Sequence, residues 1–281
     1  MHCHVEDLAA FAATAGAWLR REPVLHNVLL TLVADRLSGD VALSGAERFV
    51  RVVDGGVTVG AAVHTPPRGP LLAAMPPAAA RALAEHLLGA APPLAEVHGP
   101  VPAVEAFAER YAERAGLVAV PGTAQRIFQL DAVRPPVGVR GRARPATVAD
   151  RDLLVAWAGA FLAETAPGGP AVDPAAQIDA RLQHGDLLWL WADAGEPVAT
   201  AWLSRRVAGV ARVSGVYTPP ARRGRGYASG CVARASRYAL DAGATRCTLY
   251  TDRADPISNR IYQALGYRPV ADVAQWRFAA R

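Results

Sequence analysis

Lysine is absent from this 281-residue sequence, and all 30 of its basic residues are arginine. A nucleotide-binding P-loop needs a Gly-Lys-Ser/Thr step after its glycines, so that site is excluded. Cysteine is scarce. Cys3, Cys231 and Cys247 are scattered and give neither a disulfide framework nor zinc-ligand spacing. That usage fits a reducing compartment, and a cytoplasmic protein is expected. His2-Cys3-His4 is too slight a cluster to predict a metal site, and none is expected. No uncharged apolar run approaches the ~18–20 residues of a membrane span. Met1-His2-Cys3-His4, followed by Glu6 and Asp7, lacks the basic-then-apolar opening of a signal peptide. Neither a membrane partner nor export is expected.

What is present is apolar residues, at 52% of the chain, enough for packed cores. The length suggests two domains at ~100–200 residues each. Charge is uneven. Residues 1–135 hold 11 Arg against 13 acids, a balance of −2, and residues 136–281 hold 19 Arg against 12 acids, a balance of +7. A nucleic acid would be drawn to the second half. No arginine stripe interleaved with aromatics, helix-turn-helix pattern or zinc spacing accompanies the charge, however. A small phosphorylated ligand explains the excess, and no nucleic-acid partner is expected.

Hydrophobic periodicity orders the chain. Leu8, Phe11, Ala12, Ala15, Trp18 and Leu19 recur at helical spacing and predict a helix over 5–20; a second follows over 23–37. Phe49–Val53 and Val57–His64, joined by Asp54-Gly55-Gly56, read as a hairpin. A strand near 71–74, a helix from Pro76-Pro77 to about 88, a strand near 94–98, a helix over 101–115 and a strand over 125–130 complete the first half. Arg134 to Arg142, rich in proline, glycine and arginine, reads as a linker. Thr147-x-x-Asp150 then signals a capping box, opening a helix whose face carries Leu153, Leu154, Trp157, Ala158 and Phe161. A helix over 174–183 and strands over 187–192, 198–205 and 210–217 follow. A helix over 228–242, a strand over 246–251, a helix over 256–265 and a strand over 268–278 finish the chain. Each half reads helix, helix, three strands, helix, strand, helix, strand. The echo of Glu113-Arg114-Ala115-Gly116-Leu117 in Gln263-Ala264-Leu265-Gly266-Tyr267 supports a tandem repeat. The expected division is a first domain over 1–133, a linker over 134–144 and a second domain over 145–281.

Between the strand ending at Tyr217 and the helix from Ala228 lies Pro219-Pro220-Ala221-Arg222-Arg223-Gly224-Arg225-Gly226-Tyr227-Ala228-Ser229-Gly230. Prolines end a strand because they lack the N–H a ladder needs. Gly224 and Gly226 let the backbone turn tightly and approach a ligand. The helix start presents unpaired N–H groups and the positive end of its dipole. With three arginines on the same few residues, the stretch reads as a site for a phosphorylated ligand. A dinucleotide fingerprint is matched only by Gly224 and Gly226, with Ser229 in the third glycine's place and no ribose-binding acid about 20 residues on. The bland alternative is a glycine-rich surface turn before an ordinary helix.

Arg223-Gly224-Arg225-Gly226-Tyr227-Ala228, led by Val216-Tyr217-Thr218-Pro219-Pro220, resembles the Gln/Arg-x-x-Gly-x-Gly/Ala pyrophosphate loop of the GCN5-related N-acetyltransferases, the GNAT family. Arg223, Gly226 and Ala228 fall on the consensus positions. A second motif, Asp255 to Tyr267, is similar to the family's asparagine, tyrosine seven residues on, then Leu-Gly-Phe/Tyr. The likeness covers 145–281 in motif order and 1–135 in element order only. It is that of a tandem GNAT protein with a degenerate N-terminal copy. Met75-Pro76-Pro77-Ala78 stands where the second half has its arginine-glycine loop, so the first half is not expected to bind CoA.

The resemblance implies an α/β fold of two GNAT-like domains, each a mixed, mostly antiparallel sheet flanked by helices. It implies acetyl-CoA as co-substrate and no metal. Backbone N–H groups of Arg225, Gly226, Tyr227, Ala228 and Ser229 would hold the pyrophosphate, with charge from Arg222 and Arg225. Main-chain groups of Val216, Tyr217 and Thr218 would pair with the pantetheine arm like an added strand. Gly215 is expected at the family's β-bulge. Tyr262 falls on the tyrosine that protonates the departing CoA thiolate; a phenol pKa near 10 suits that role. Taken alone, Tyr262 also fits a core position, because Ile257, Ile261 and Leu265 mark the buried side of its helix. Asp255 departs from the family's asparagine. Before Pro256 it makes a helix N-cap, which leaves the polar contact to the cofactor to Asn259.

Acetyl transfer to an amine needs the neutral amine. At a pKa near 10.4 about 1 in 2,500 alkyl amines is neutral at pH 7, a cost of roughly 4.6 kcal/mol. A carboxylate acting directly or through water would help remove that proton. Glu164, at the end of the first helix of the second half, is the leading candidate base, and Asp173 is the next; the bland reading of each is a solvated surface acid. The expected function is an acetyl-CoA-dependent N-acetyltransferase acting on an unidentified amine acceptor. A non-catalytic CoA-binding sensor or scaffold stays open, as does a longer acyl donor. The oligomeric state is open, a homodimer included.

Overall fold

The computed structural model describes residues 1–89, 92–165, 172–183 and 187–281. The chain begins β1 (His2–Glu6), α1 (Leu8–Thr14), α2 (Gly16–Leu19), α3 (Asn27–Leu37), β2 (Arg48–Asp54), β3 (Val57–His64), β4 (Leu71–Leu72), α4 (Pro77–Leu87), β5 (Glu96–Pro100), α5 (Val101–Ala115) and β6 (Leu117–Leu130). It continues β7 (Arg142–Pro145), α6 (Arg151–Thr165), α7 (Pro174–Gln183), β8 (Leu187–Asp193), β9 (Glu196–Leu203), β10 (Val210–Tyr217), α8 (Tyr227–Asp241), β11 (Arg246–Asp252), α9 (Pro256–Ala264) and β12 (Arg268–Ala280). The chain forms two compact units. One comprises Met1–Ile127, Thr251–Asp255 and Pro269–Arg281; the other comprises Phe128–Tyr250 and Pro256–Arg268.

In the first unit the strand order is β1-β2-β3-β4-β5-β12-β6. β12, from the end of the chain, lies antiparallel to β5, with Val273 opposite Pro100 and Arg277 opposite Glu96. Its Phe278 ring sits 4.7 Å from that of Tyr111, whose hydroxyl accepts from Leu94 N–H at 3.0 Å. The core joins Val50, Leu72, Leu83, Leu87, Val97, Phe107 and Tyr111 from the sheet, α4 and α5. In the second unit β11-β10-β9-β8-β7 follow the last residues of β6. Both faces of that sheet are covered. Cys231, Val232 and Ala235 of α8, with Tyr262 of α9 and Leu265 just after it, pack on Ala211, Val213, Cys247 and Leu249. Leu154, Ala158 and Ile178 of α6 and α7 pack on Leu188, Leu190 and Trp202. This double burial explains why β9 reads as an almost unbroken apolar run rather than an alternation.

The hairpin read around Asp54-Gly55-Gly56 forms, and β8 and β9 form a second one. Gly55 and Gly56 have φ of 54° and 83°, and Ala194 and Gly195 have 52° and 89°. Two consecutive left-handed residues twist as the flanking strands do. The capping box also forms. Asp150 accepts from Thr147 N–H at 2.8 Å and from both ends of the Arg144 guanidinium at 2.7 Å. The Arg144 pair, with the Thr147 bonds, holds its carboxyl at about 2. Two strands escaped the sequence reading. β1 begins before the span read as the first helix and overlaps only its first two residues, Val5 and Glu6, and β7 lies across the end of the span read as linker. Both are short and polar. What makes them strands is a partner: β1 pairs along β2 from His2–Val53 to Glu6–Phe49, and β7 pairs with β8 from Arg142–Ala192 to Pro145–Trp189.

His26 is a buried polar group of the first unit. One ring nitrogen, Nδ1, lies 3.0 Å from Leu19 O, and Nε2 accepts from Ala74 N–H at 3.2 Å. Only the neutral ring with its proton on Nδ1 satisfies both. Burial lowers its pKa, and the same holds for His64 and His86. Each therefore binds its proton more readily in the unfolded chain. Stability is present in full above the ordinary histidine pKa of ~6.5 and falls as pH drops below it. We expect the thermal midpoint to decline from pH 7.5 to pH 5, with a shallower decline in His26→Gln. His26→Leu, which strips Ala74 N–H of its acceptor, should cost about 1–3 kcal/mol at pH 7.5. An unchanged pH slope in His26→Gln would remove this histidine from the account.

Candidate active site

β10 and β11 run parallel, but they pair only at Val210–Arg246, Ala211–Cys247 and Arg212–Thr248. Both strands continue beyond that point without bonding each other. A bulge accompanies the parting: the register of β10 against β9 shifts between Ser214 and Tyr217. Gly215 sits in it with φ +53°, and a Cβ there would lie 2.0 Å from Trp202 Cδ2. Only glycine lets the Trp202 ring cover this backbone. An extra residue in one strand bends it and increases its twist. The edge of β10 from Val213 to Tyr217 is thereby left with main-chain groups that β11 does not use.

The chain then turns through Pro219 and Pro220 into the loop. Arg222 N–H donates to Pro219 O at 2.8 Å. Gly224 and Gly226 have φ of 76° and 78°. Nothing lies within 4 Å of a Cβ on Gly224, whereas a Cβ on Gly226 would meet Val139 Cγ2 at 3.0 Å. Gly226 is the N-cap of α8 and offers no side chain to its first turn. The helix's first internal bond is Gly230 N–H to Gly226 O at 3.0 Å. The N–H groups of Tyr227, Ala228 and Ser229 are thus left without intrahelical partners, at the positive end of a 15-residue helix. Arg222 and Arg225 are exposed beside them. The donor set suits an anion with several oxygens.

The Tyr227 side chain turns the other way. It is buried beside Val198, Ala199, Val139 and Trp191, and its hydroxyl donates to Asp193 Oδ2 at 2.5 Å. It anchors the helix start, and only its N–H faces the loop. Arg223 is also committed. Its Nε donates to Thr218 O at 2.9 Å, and its Nη2 donates to both oxygens of Glu164, at 2.8 and 2.7 Å. Glu164, the sequence's candidate base, is therefore the ion-pair partner of the loop. Asp173 spends one carboxylate oxygen on Ala175 N–H at 2.9 Å, at the start of α7. Thr218 Oγ1 is buried and has no partner among the described residues.

Tyr262 is buried in the α8–α9 core, which also contains Val213 and Leu249 of the parting strands. Its carbonyl accepts from Tyr267 N–H at 3.0 Å. Asn259 lies one turn earlier, half-buried. Ile257, read as part of the buried side of this helix, is 71% exposed. Its periodicity matched, but it sits in the first turn, outside the packed face. The sequence reading overlooked Trp202 and where the α6 aromatics meet the sheet: Phe161 lies 6.2 Å from Trp202, and Trp157 lies 6.1 Å from Tyr217. Helical spacing marked Trp157 and Phe161 as core; their meeting with the end of β10 depends on strand register.

The two glycines give a paired test of this geometry. Gly215→Ala adds a clash with Trp202 to a left-handed φ and should cost about 2–5 kcal/mol in chemical denaturation. Gly224→Ala meets open space and should cost only the backbone term, about 1–2 kcal/mol. Equal losses would refute the packing of Trp202 on the bulge.

Residues 155–267 match the model of the Acetyltransferase (GNAT) family. Solved structures share the fold at low identity. A Drosophila protein is 13% identical, covering 99% of this chain and 98% of its own, with a TM-score of 0.69. A GCN5-related N-acetyltransferase from Kribbella flavida is 21% identical, covering 88% and 94%, with a TM-score of 0.56. A tandem GNAT protein from the clavulanic acid biosynthesis pathway is 13% identical, covering 98% and 97%, with a TM-score of 0.56. No curated protein matches the sequence. Among the described residues, no helix is long and apolar enough to cross a membrane. The matched segment spans the parted strands, the arginine-glycine loop and Tyr262, and over residues 155–267 this chain is similar to the GNAT acetyltransferase family.

Proposed function

We propose that residues 145–281 form an acetyl-CoA-dependent N-acetyltransferase that passes acetyl directly to an amine. Residues 1–133 are then a degenerate copy of the same fold, joined through 134–144. One observation carries the reading: a parted strand edge runs straight into an uncapped helix N-terminus flanked by exposed arginines. The N–H groups of Arg225, Gly226, Tyr227, Ala228 and Ser229 hold the pyrophosphate, and Arg222 and Arg225 add charge. Gly224 keeps the approach open, and Arg223 braces the loop through Thr218 O. Main-chain groups of Val216, Tyr217 and Thr218 receive the pantetheine arm, and Asn259 supplies a polar contact. Acetyl-CoA brings an activated thioester, so the chemistry calls for no metal. A cytoplasmic setting, where this co-substrate is made, goes with the reading.

Two side chains move protons. Tyr262 gives its hydroxyl proton to the departing sulfur. Glu164 takes the proton of the acceptor amine, which requires its pair with Arg223 to open first. An incoming pyrophosphate is an anion able to draw Arg223 away.

Thermal unfolding with acetyl-CoA tests the site. Ligand at about 100 times its Kd adds ~2.7 kcal/mol and should raise the midpoint by roughly 2–4 °C. Gly224→Trp, whose Cβ meets open space while its ring crowds the loop, should abolish the shift. No shift in the wild type at millimolar acetyl-CoA would end the reading. Binding with no turnover across a screen of amines would favour the sensor. With an acceptor in hand, Glu164→Gln should lower kcat/KM by about 10²–10⁴-fold and flatten the acidic limb of the pH profile. A rate within threefold of wild type would strip Glu164 of the base role.

A further inference from the structure

Tyr250 has no role in the account so far. On β11, Cys247 and Leu249 belong to the α8–α9 core. Alternation along a strand therefore turns Thr248 and Tyr250 to the opposite face of the sheet, the face that α6 and α7 cover. Thr248 is the last β11 residue paired with β10, and its hydroxyl donates to Phe128 O at 2.9 Å. Tyr250 is the first side chain on that face beyond the point where the strands part. On β10, Ala211 and Val213 face the α8 core, which puts Arg212 and Ser214 on the same face as Tyr250.

Two other buried tyrosines of this unit use their hydroxyls to tie the fold. Tyr267 bonds Ser236 at 2.7 Å, and Tyr227 bonds Asp193. The Tyr250 hydroxyl makes no hydrogen bond among the described residues, and the residue keeps part of its surface open. Burial pushes its phenol up to about 12, against an opposing pull from Arg212. It keeps its proton across the neutral range and acts as a donor, not as a base. Tyr262 packs with the core on the other face of the same two strands.

We propose that the Tyr250 hydroxyl donates a hydrogen bond to the acyl carbonyl oxygen of a thioester lying between β10 and β11. This rests on the acetyl-CoA reading above and adds a catalytic residue to it. When an amine adds to that carbonyl, negative charge gathers on its oxygen, and a donor fixed there is stronger in the transition state than in the ground state. CoA itself has no acyl carbonyl, so the bond also separates acyl-CoA from CoA.

Calorimetric titration of wild type and Tyr250→Phe with acetyl-CoA and with CoA tests this. The variant should bind CoA within twofold of wild type and acetyl-CoA about 5–10-fold more weakly, the worth of one such bond. Equal weakening of both ligands, or of neither, overturns the assignment to Tyr250 while leaving the site intact. If wild type binds neither ligand, the acetyl-CoA reading itself falls and the proposal with it. A second measurement needs no variant. The infrared carbonyl stretch of ¹³C-labelled acetyl-CoA should move to lower frequency on binding to wild type, and an unshifted band overturns the proposal.

Discussion

Two parallel strands that hold together for three residue pairs and then part are what the candidate site depends on. A sheet normally consumes its own main-chain donors and acceptors. Here a bulge at Gly215 re-aims β10, and the large ring of Trp202 occupies the space a Cβ would need. The bulge is locked from outside as well, because Trp202 packs with α6 and α7. One glycine and one tryptophan thus convert part of a closed ladder into an open edge. A strand edge of this kind is a liability unless something covers it. In the proposed function, the pantetheine arm is what covers it.

The same economy of partners governs the loop that follows. α8 starts on a glycine that supplies no capping side chain, so its first N–H groups stay available. The helix start is steadied by other means. Tyr227 reaches Asp193, Gly230 allows the Trp191 ring to approach its backbone, and Val139 packs beside Gly226. Rigid packing behind the loop and unmet hydrogen-bonding capacity in front of it are what an anion site requires. Arg223 belongs to the packing side, since its guanidinium joins Thr218 O to Glu164. The ion pair also ties the last turn of α6 to the loop, and through it the acceptor side is coupled to the cofactor side in our reading.

The first unit reproduces the order of elements without these features. Its short β4 leads through Met75 and two prolines directly into α4. Met75 packs where a Cβ on Gly60 would lie 2.8 Å from its sulfur, and Ala74 N–H is already bonded to His26. Main-chain capacity that the second unit leaves open is met here by the chain's own side chains. The cost is a buried histidine held in its neutral form by Leu19 O and Ala74 N–H.

The sequence by itself determined most of the elements and the backbone turns of the loop. Local rules suffice for such features: two left-handed residues for each hairpin, Thr147 and Asp150 for a capping box, prolines and glycines for a strand that ends in an anion-seeking turn. Those residues act on neighbours a few positions away, so their pattern is readable in one dimension. Only the tertiary structure decided the rest. β1 and β7 are strands because β2 and β8 lie beside them. The C-terminal strand completes the sheet of the first unit, 170 or more residues from β5 along the chain. Glu164 meets Arg223, 59 residues away, and Tyr250 turns to the α6–α7 face because of where the pairing of β10 with β11 stops. Register and long-range charge pairing are set by packing between distant segments, and no spacing along the sequence records them.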